Sequence, residues 1–365
     1  MTPPEMKPEV PLIRKLMARQ DLSREESATL LSHLLRNDPE GWRFLAFSVA
    51  AQTKGETVDE MLGMFDALRQ ATAPYGLDLP GELMDVASAG GTGIRKLNIS
   101  TLTALVIGEP AFPVAKQSFW GITSLAGSAD VLREVGIFVP AVTVPQLGQA
   151  FQTVGVAFYS PLFLSGELAN LVHFGQVLGG KSIGVNTPFN LVAPIFTPLP
   201  LTFRMFGVNN PRQVEMILDI FRGLGFRSAL AFYGLDGLDE VSVCAPTRVH
   251  GFRNGEEIDL LFEPEQVGLR TVAREAIQPV DARSNVRDFL RIVYGVETGP
   301  KRDLIAANGG LALWLTGRAA SLEEGVRTAL DRLQSGQAGE KLTRLVELLG
   351  NPDVLRQARN EHLAD

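Results

Sequence analysis

Cysteine is nearly absent: Cys244 is the single thiol in 365 residues. That excludes an internal disulfide framework and fits a reducing compartment. Its setting, "EVSVCAPT", reads as a strand carrying a packed thiol rather than a nucleophile. Histidine is also scarce. His33, His173, His250 and His362 are scattered, and no pair has zinc-ligand spacing. There is no excess of positive charge. The formal net charge is −7, which argues against nonspecific nucleic-acid binding, since that rests on clustered Lys and Arg. No apolar run is long enough to span a bilayer, and no basic segment followed by an apolar run opens the chain. The expectation is a cytoplasmic protein with no membrane partner. Internal repeats and low-complexity tracts are missing too.

The remaining composition is that of an ordinary globular protein, 45% hydrophobic and 21% charged, long enough for one large domain and a smaller one. The first part reads as helical. "SREE" at 23–26 and "TVDE" at 57–60 are capping boxes, in which Ser23 or Thr57 accepts from the amide three residues on and Glu26 or Glu60 reaches back. "DPEGWRFLAFSVAAQ" predicts a helix capped by Asp38 with Pro39 at its first position. Met61, Met64, Phe65 and Leu68 recur at three and four, marking one buried face. "TAPYGLDLPGE" (72–82) is a Pro/Gly-rich connector. Beyond it strand and helix alternate. Strands are expected at Leu83–Ala87, Phe112–Lys116, Val154–Phe158, Ala229–Tyr233 and Glu240–Cys244. Helices are expected at Ser100–Ile107, Gly127–Val135, Pro145–Thr153 and Arg212–Leu224. The fold class is therefore α/β: a small N-terminal helical domain plus a larger α/β domain with a mostly parallel central sheet. The stretch Leu164–Val192 breaks the alternation. The expected division is 1–78, with a return segment 164–192, for the helical domain, and 79–163 with 193–365 for the α/β domain. The C-terminal part is helical again, opened by a third box, "SLEE" (321–324).

Three stretches carry chemistry. "GQVLGGKS" (175–182) fits a P-loop pattern, but that motif needs a strand before it and a helix from its Lys-Ser, and Pro188 disfavours helix at Thr187. A glycine-rich hinge is the preferred reading. "DVASAGGTGIRKLNIST" (85–101) has the right context, a strand, a glycine turn and a helix start. Such a turn lets backbone amides approach an anion at a positive helix terminus. A tight turn before a capped helix explains the same residues, and the spacing alone leaves both readings open. In "YGLDGLDEVS" (233–242) Asp236, Asp239 and Glu240 follow a strand end, as suits magnesium or a solvated acidic turn. Lys116 ends another strand, where its ammonium can neutralise a phosphate. Phe119 and Trp120 follow it, and Ser128 opens the next helix. Ligands of open parallel sheets sit at these carboxyl ends.

Taken in order, "KGET", the glycine loop with "NIST", "VAK", "GSADVL", "PFNL", "DGLDE", "PTRV" and "GPKRD…N" resemble anthranilate phosphoribosyltransferases over roughly residues 10–335. The resemblance implies a helical domain beside a larger α/β domain, a homodimer, and transfer of ribose phosphate from phosphoribosyl pyrophosphate (PRPP) to an amine with Mg2+. It implies PRPP contacts from Gly90, Gly91, Asn98, Ser100, Thr101, Lys116 and Ser128. It implies metal contacts from Ser100, Asp239 and Glu240, and an acceptor pocket shaped by Phe119 and Trp120.

The departures cluster on two stretches. The family loop resembles Gly-Thr-Gly-Gly-Asp; here it is Ser88-Ala89-Gly90-Gly91-Thr92, without the carboxylate and with Arg95 and Lys96 just beyond. After the lysine, His-Gly-Asn-Arg is replaced by Gln117-Ser118-Phe119-Trp120. The arginine expected to hold the anthranilate carboxylate falls near Gly180, and "LGP" becomes Val192-Ala193-Pro194. One charge-assisted hydrogen bond contributes roughly 1.5–3 kcal/mol, so losing that arginine alone would weaken anthranilate binding about ten- to a hundred-fold. The sequence therefore points to a magnesium-dependent phosphoribosyltransferase whose acceptor is not anthranilate. Two alternatives stay open. One is a catalytically lapsed relative that binds nucleic acid or another ligand in an interdomain groove, with Arg95 and Lys96 contributing; the acidic total disfavours it. The other is a nucleoside phosphorylase of related architecture.

Overall fold

The computed structural model describes residues 7–72, 76–77, 79, 81–120, 127–161, 168, 171 and 187–363. Four helices come first: α1 (Glu9–Met17), α2 (Arg24–Asn37), α3 (Trp42–Lys54) and α4 (Val58–Gln70). Then follow β1 (Leu83–Ser88), α5 (Ile99–Ile107), β2 (Val114–Gln117), α6 (Ser128–Glu134), α7 (Val144–Thr153) and β3 (Val156–Tyr159). After α8 (Phe189–Ile195) come β4 (Leu201–Gly207), α9 (Val214–Gly223), β5 (Ser228–Gly234), β6 (Thr247–Arg253) and β7 (Glu256–Phe262). The chain then forms α10 (Ala282–Val293), α11 (Pro300–Leu315), α12 (Leu322–Gln334), α13 (Gln337–Leu349) and α14 (Pro352–Leu363).

These elements form two compact units. One comprises Met1–Tyr75, Pro161–Pro198 and Asp219–Leu224; the other comprises Gly76–Ser160, Leu199–Leu218 and Gly225–Asp365. In the first, α2 and α4 start at reciprocal capping boxes, Ser23 with Glu26 and Thr57 with Glu60. Phe44 and Phe47 of α3 pack against Phe189 of α8, with ring centroids 4.6 and 6.1 Å apart. Helix α8 begins after Pro188, and Thr187 is outside it, held by its amide donating to Asn190 Oδ1 at 2.7 Å.

The second unit is built on a seven-stranded sheet in the order β3-β2-β1-β4-β5-β6-β7. Strands β3 to β5 run parallel, while β6 and β7 add an antiparallel hairpin at one edge. The mostly parallel α/β class expected from the alternation is the one observed. Strand order reverses at β1, which lies between β2 and β4. In open sheets of this kind ligands bind at such a reversal, at the strands' carboxyl ends.

Several local expectations are corrected. Residues 240–244 form no strand: Glu240–Cys244 is an irregular loop whose Val241 peptide is bound by Asn308. Strand β4 and the β6–β7 hairpin went unpredicted. Arg204 interrupts the apolar run of β4, and alternate residues of β7 are exposed. The hairpin did carry a turn signature in Asn254-Gly255, both at positive φ (51° and 86°). Helix α3 starts at Trp42 after Gly41, so Pro39 is not its first residue; Asp38 still caps it from upstream, accepting from the Phe44 amide at 2.8 Å. The third box is half formed. Ser321 accepts from the Glu324 amide, but the Glu324 carboxylate takes the Ala320 amide instead of that of Ser321.

Candidate functional site

The turn after β1 crosses the end of β4. Gly90 and Gly91 sit at φ +68° and +73°, a left-handed backbone that costs glycine little and other residues more. Nothing lies within 4 Å of the position a Gly90 Cβ would take, so the loop's face is open there. Asn209, just past β4, donates from Nδ2 to the Gly90 carbonyl at 2.5 Å and steadies the turn.

The acidic loop after β5 reaches the same place because Gly207 ends β4. A Cβ on Gly207 would stand 1.9 Å from the Asp239 carbonyl oxygen, so only glycine lets the two backbones approach. Asn308 of α11 anchors the far side. Its Oδ1 accepts from the Val241 amide at 3.0 Å, and its Nδ2 donates to the Val241 and Leu304 carbonyls, each at 2.9 Å. Asp239 and Glu240 are thereby held buried.

Both Asp239 oxygens are engaged. The Gly90 amide donates to Oδ2 at 2.8 Å, and the Lys96 ammonium donates to Oδ1. Lys96 Nζ also donates to Ser88 Oγ at 3.1 Å. Burial pushes the Glu240 carboxyl up to about 7, with the neighbouring Asp239 adding and Lys96, Ser88 and Lys116 opposing. Lys116 is the next-to-last residue of β2, its ammonium donating to the Gln117 carbonyl. Burial pulls its pKa below the usual lysine value, reinforced by Arg204 and Lys96 and opposed by Asp85 and Glu240. Behind it, Asp85 of β1 and Arg204 of β4 are register partners and form a fully buried ion pair at 2.6 Å. The cluster thus interleaves three cations, Lys96, Lys116 and Arg204, with Asp85, Asp239 and Glu240.

The other expected residues divide. Asn98, Ser100 and Thr101 open α5 beside the glycine turn. Asn98 Oδ1 accepts from Asn285 Nδ2 at 2.8 Å, Ser100 is half-buried, and the buried Thr101 hydroxyl has no hydrogen-bond partner among the described residues. Ser128 Oγ accepts from the Phe119 amide at 3.1 Å, tying the loop after β2 to the start of α6. Trp120 lies 6.3 Å from the Phe138 ring, with the Arg133 guanidinium 5.4 Å from its own ring centre. Asp236 is not part of the cluster: its carboxylate accepts from the Leu238 amide and the Ser242 hydroxyl, bracing its own turn. Cys244 is half-buried, and burial raises its thiol pKa, the opposite of an activated nucleophile. The "GQVLGGKS" stretch, Gly180 and His173 lie outside the described residues.

Sequence reasoning missed the role of Lys96. Arg95 and Lys96 read as a basic pair, but they part: Arg95 donates to the Val280 carbonyl at 3.2 Å, and Lys96 turns into the carboxylates. The available clue was the joint loss of the loop acid and gain of a lysine four residues on.

A divalent ion such as magnesium needs hard oxygen ligands turned toward it. Here the Asp239 oxygens face an amide and an ammonium, and Lys96 stands between Asp239 and the Ser88 hydroxyl. Among the described residues no group of three or more His, Cys, Asp or Glu side chains is placed to hold a metal ion. The arrangement fits an ammonium, not a divalent cation.

The profile described as "Glycosyl transferase family, a/b domain" matches residues 80–339, and that of the "helical bundle domain" matches residues 10–72. The anthranilate phosphoribosyltransferase of Desulfosudis oleivorans is 33% identical over 337 residues, 92% of this chain and 97% of its own. That of Deinococcus radiodurans is 32% identical over 332 residues, 91% and 96% of the two chains. Among solved structures, the enzyme of that name from Thermus thermophilus superposes with a TM-score of 0.82 at 29% identity, covering 92% of this chain and 98% of its own. The Saccharomyces cerevisiae enzyme, in complex with PRPP and Mg, has a TM-score of 0.82 at 19% identity over 93% and 97%.

Proposed function

Because the chain belongs to the anthranilate phosphoribosyltransferase family, we propose that it is a phosphoribosyltransferase with PRPP as donor and an acceptor other than anthranilate. The observation that carries this is the donor-side cluster: an open glycine turn, the start of α5 and Lys116, gathered where strand order reverses. In this reading the open backbone at Gly90, the Gly91 amide and the α5 N-terminus receive the pyrophosphate. Asn98, Ser100 and Thr101 meet the ribose and its phosphate, with Lys116 and Ser128 as further phosphate contacts. The acceptor attacks the anomeric carbon as the bond to pyrophosphate breaks. Catalysis is then positioning plus stabilisation of the charge that gathers on the departing pyrophosphate.

Magnesium is the ion named with PRPP for the yeast relative. The residues that would meet it in this chain are Ser100, Asp239 and Glu240. Asp239 is already engaged on both oxygens, so no step is assigned to the metal.

On the acceptor side, Phe119 and Trp120 stand where the family carries polar residues, and Trp120 is braced by Arg133 and Phe138. That supports an apolar wall against a flat acceptor. We take the helical domain as 1–78 with 164–192 and the α/β domain as the remainder, in a cytoplasmic homodimer. Met17 and Trp42, 71% and 66% exposed, suit a dimer surface on the N-terminal helices. Sedimentation should give twice the 39.6 kDa monomer mass; a monomer across the micromolar range refutes the dimer.

Calorimetry tests the donor. PRPP should release or absorb measurable heat at millimolar ligand, and anthranilate should be a poor acceptor in a turnover assay. A folded protein that shows no heat with PRPP would sink the reading.

A further inference from the structure

We propose that Lys96 is a built-in replacement for the donor-site divalent cation, so that this protein binds PRPP without a metal. The proposal rests on the PRPP reading above and concerns the same site.

Three departures from the family pattern make one arrangement. The loop acid is replaced by Thr92, the first loop glycine by Ser88, and Lys96 follows. In the fold, Lys96 Nζ binds Asp239 Oδ1 and Ser88 Oγ, and its charge lowers the pKa of the neighbouring Glu240. One ammonium therefore touches one member of the carboxylate pair and acts on the other through its charge. Asp239 Oδ2 meanwhile holds the Gly90 amide, which ties the glycine turn to the acidic loop. A cation held against a carboxylate pair beside a phosphate cradle does the work expected of a metal there. Unlike a metal, it is covalently part of the chain and needs no free ion.

The charge count agrees. The family pattern has three acids, the loop acid and the later pair, available to a doubly charged ion. This chain keeps the pair and supplies one fixed positive charge. A divalent ion entering beside Lys96 would meet a like charge and would have to take Asp239 from it. The side chain is only 14% exposed, so water screens that repulsion weakly. Of the three donors of its ammonium, Lys96 gives two to Asp239 and Ser88, which leaves one. The pyrophosphate of PRPP brings such oxygens to this loop.

The test compares PRPP affinity by calorimetry in EDTA and in excess Mg2+, for wild type and Lys96→Met. Wild type should bind in both buffers with dissociation constants within about threefold, less than the effect of one charge-assisted hydrogen bond. The variant should lose about tenfold or more in EDTA and recover in Mg2+. A second readout needs no PRPP: Mg2+ alone should leave the melting temperature of wild type unchanged and raise that of Lys96→Met, whose Asp239 has lost its cation. Binding by wild type only when Mg2+ is present overturns this inference and leaves the proposed function standing. A variant that behaves like wild type in both buffers, or equal stabilisation of both proteins by Mg2+, also overturns it. No PRPP binding in either buffer overturns the proposed function and this inference with it.

Discussion

Asn308 shows how one buried side chain can hold a functional loop. It is 1% exposed and satisfies both the amide and the carbonyl of Val241, next to Glu240. Asn308→Ala strands both groups in a buried setting. An unsatisfied buried polar group costs roughly 1–3 kcal/mol, so the variant should lose about 2–4 kcal/mol in urea unfolding. It should also weaken PRPP binding, since Asp239 and Glu240 lose their anchor. A loss of stability with unchanged PRPP affinity would show that the acidic loop holds its place without it. Gly207 acts from the other side, through the space its missing Cβ leaves for the Asp239 carbonyl.

Helix α5 gathers both kinds of terminus chemistry. Its N-terminal end faces the glycine turn. At its C-terminal end the carbonyls have no intrahelical donor, and three cations supply them. Lys341 donates to the Leu105 and Gly108 carbonyls, Arg332 to Val106 and Arg318 to Ile107, with Glu109 pairing the arginines. Burial, then the nearby Arg332, pulls the Lys341 pKa down to about 8, with Glu109 opposing. A lysine whose pKa falls on folding leaves the unfolded chain binding more protons between about pH 8 and 10.5. Stability then rises with pH across that window, and the gain is lost as pH falls through 8. Unfolding midpoints should therefore improve from pH 8 to 10.5 in wild type relative to Lys341→Met. Parallel pH profiles for the two proteins would contradict the assignment. Arg318, pulled down to about 10 chiefly by burial, stays charged over most of the same range.

At the scale of the whole molecule, the parallel strands and their order place the chemistry. Reversal of strand order at β1 brings the ends of β1, β2, β4 and β5 to one edge, so segments distant in sequence share one site. Among the described residues no helix is long and apolar enough to cross a membrane. Catalysis should follow the donor half of that site. With PRPP present, a screen of flat amines against wild type and Trp120→Ala should find acceptors whose turnover changes by about tenfold or more in the variant, because an aromatic wall of a pocket sets acceptor fit. If acceptor preference is identical in the two proteins, Trp120 braces α6 and does not line the pocket.

The local parts of the molecule were legible in the sequence. Capping boxes at Ser23 and Thr57 act over three residues, the glycine turn and α5 start are adjacent, and the ordered motifs identified the family. Some local signals were present but unread, such as the Asn254-Gly255 turn of the hairpin. The site's inner wiring was of another kind. Asp239 meets Gly90 across 149 residues and Lys96 across 143, and Asp85 meets Arg204 across 119. No period or spacing encodes such pairs; sheet register and the close approach at Gly207 create them. The sequence by itself determined that a glycine loop, a lysine and a carboxylate pair exist. Only the tertiary structure decided that Lys96, and not its neighbour Arg95, closes that pair, because burial leaves a charged group few partners and topology chooses which ones are near.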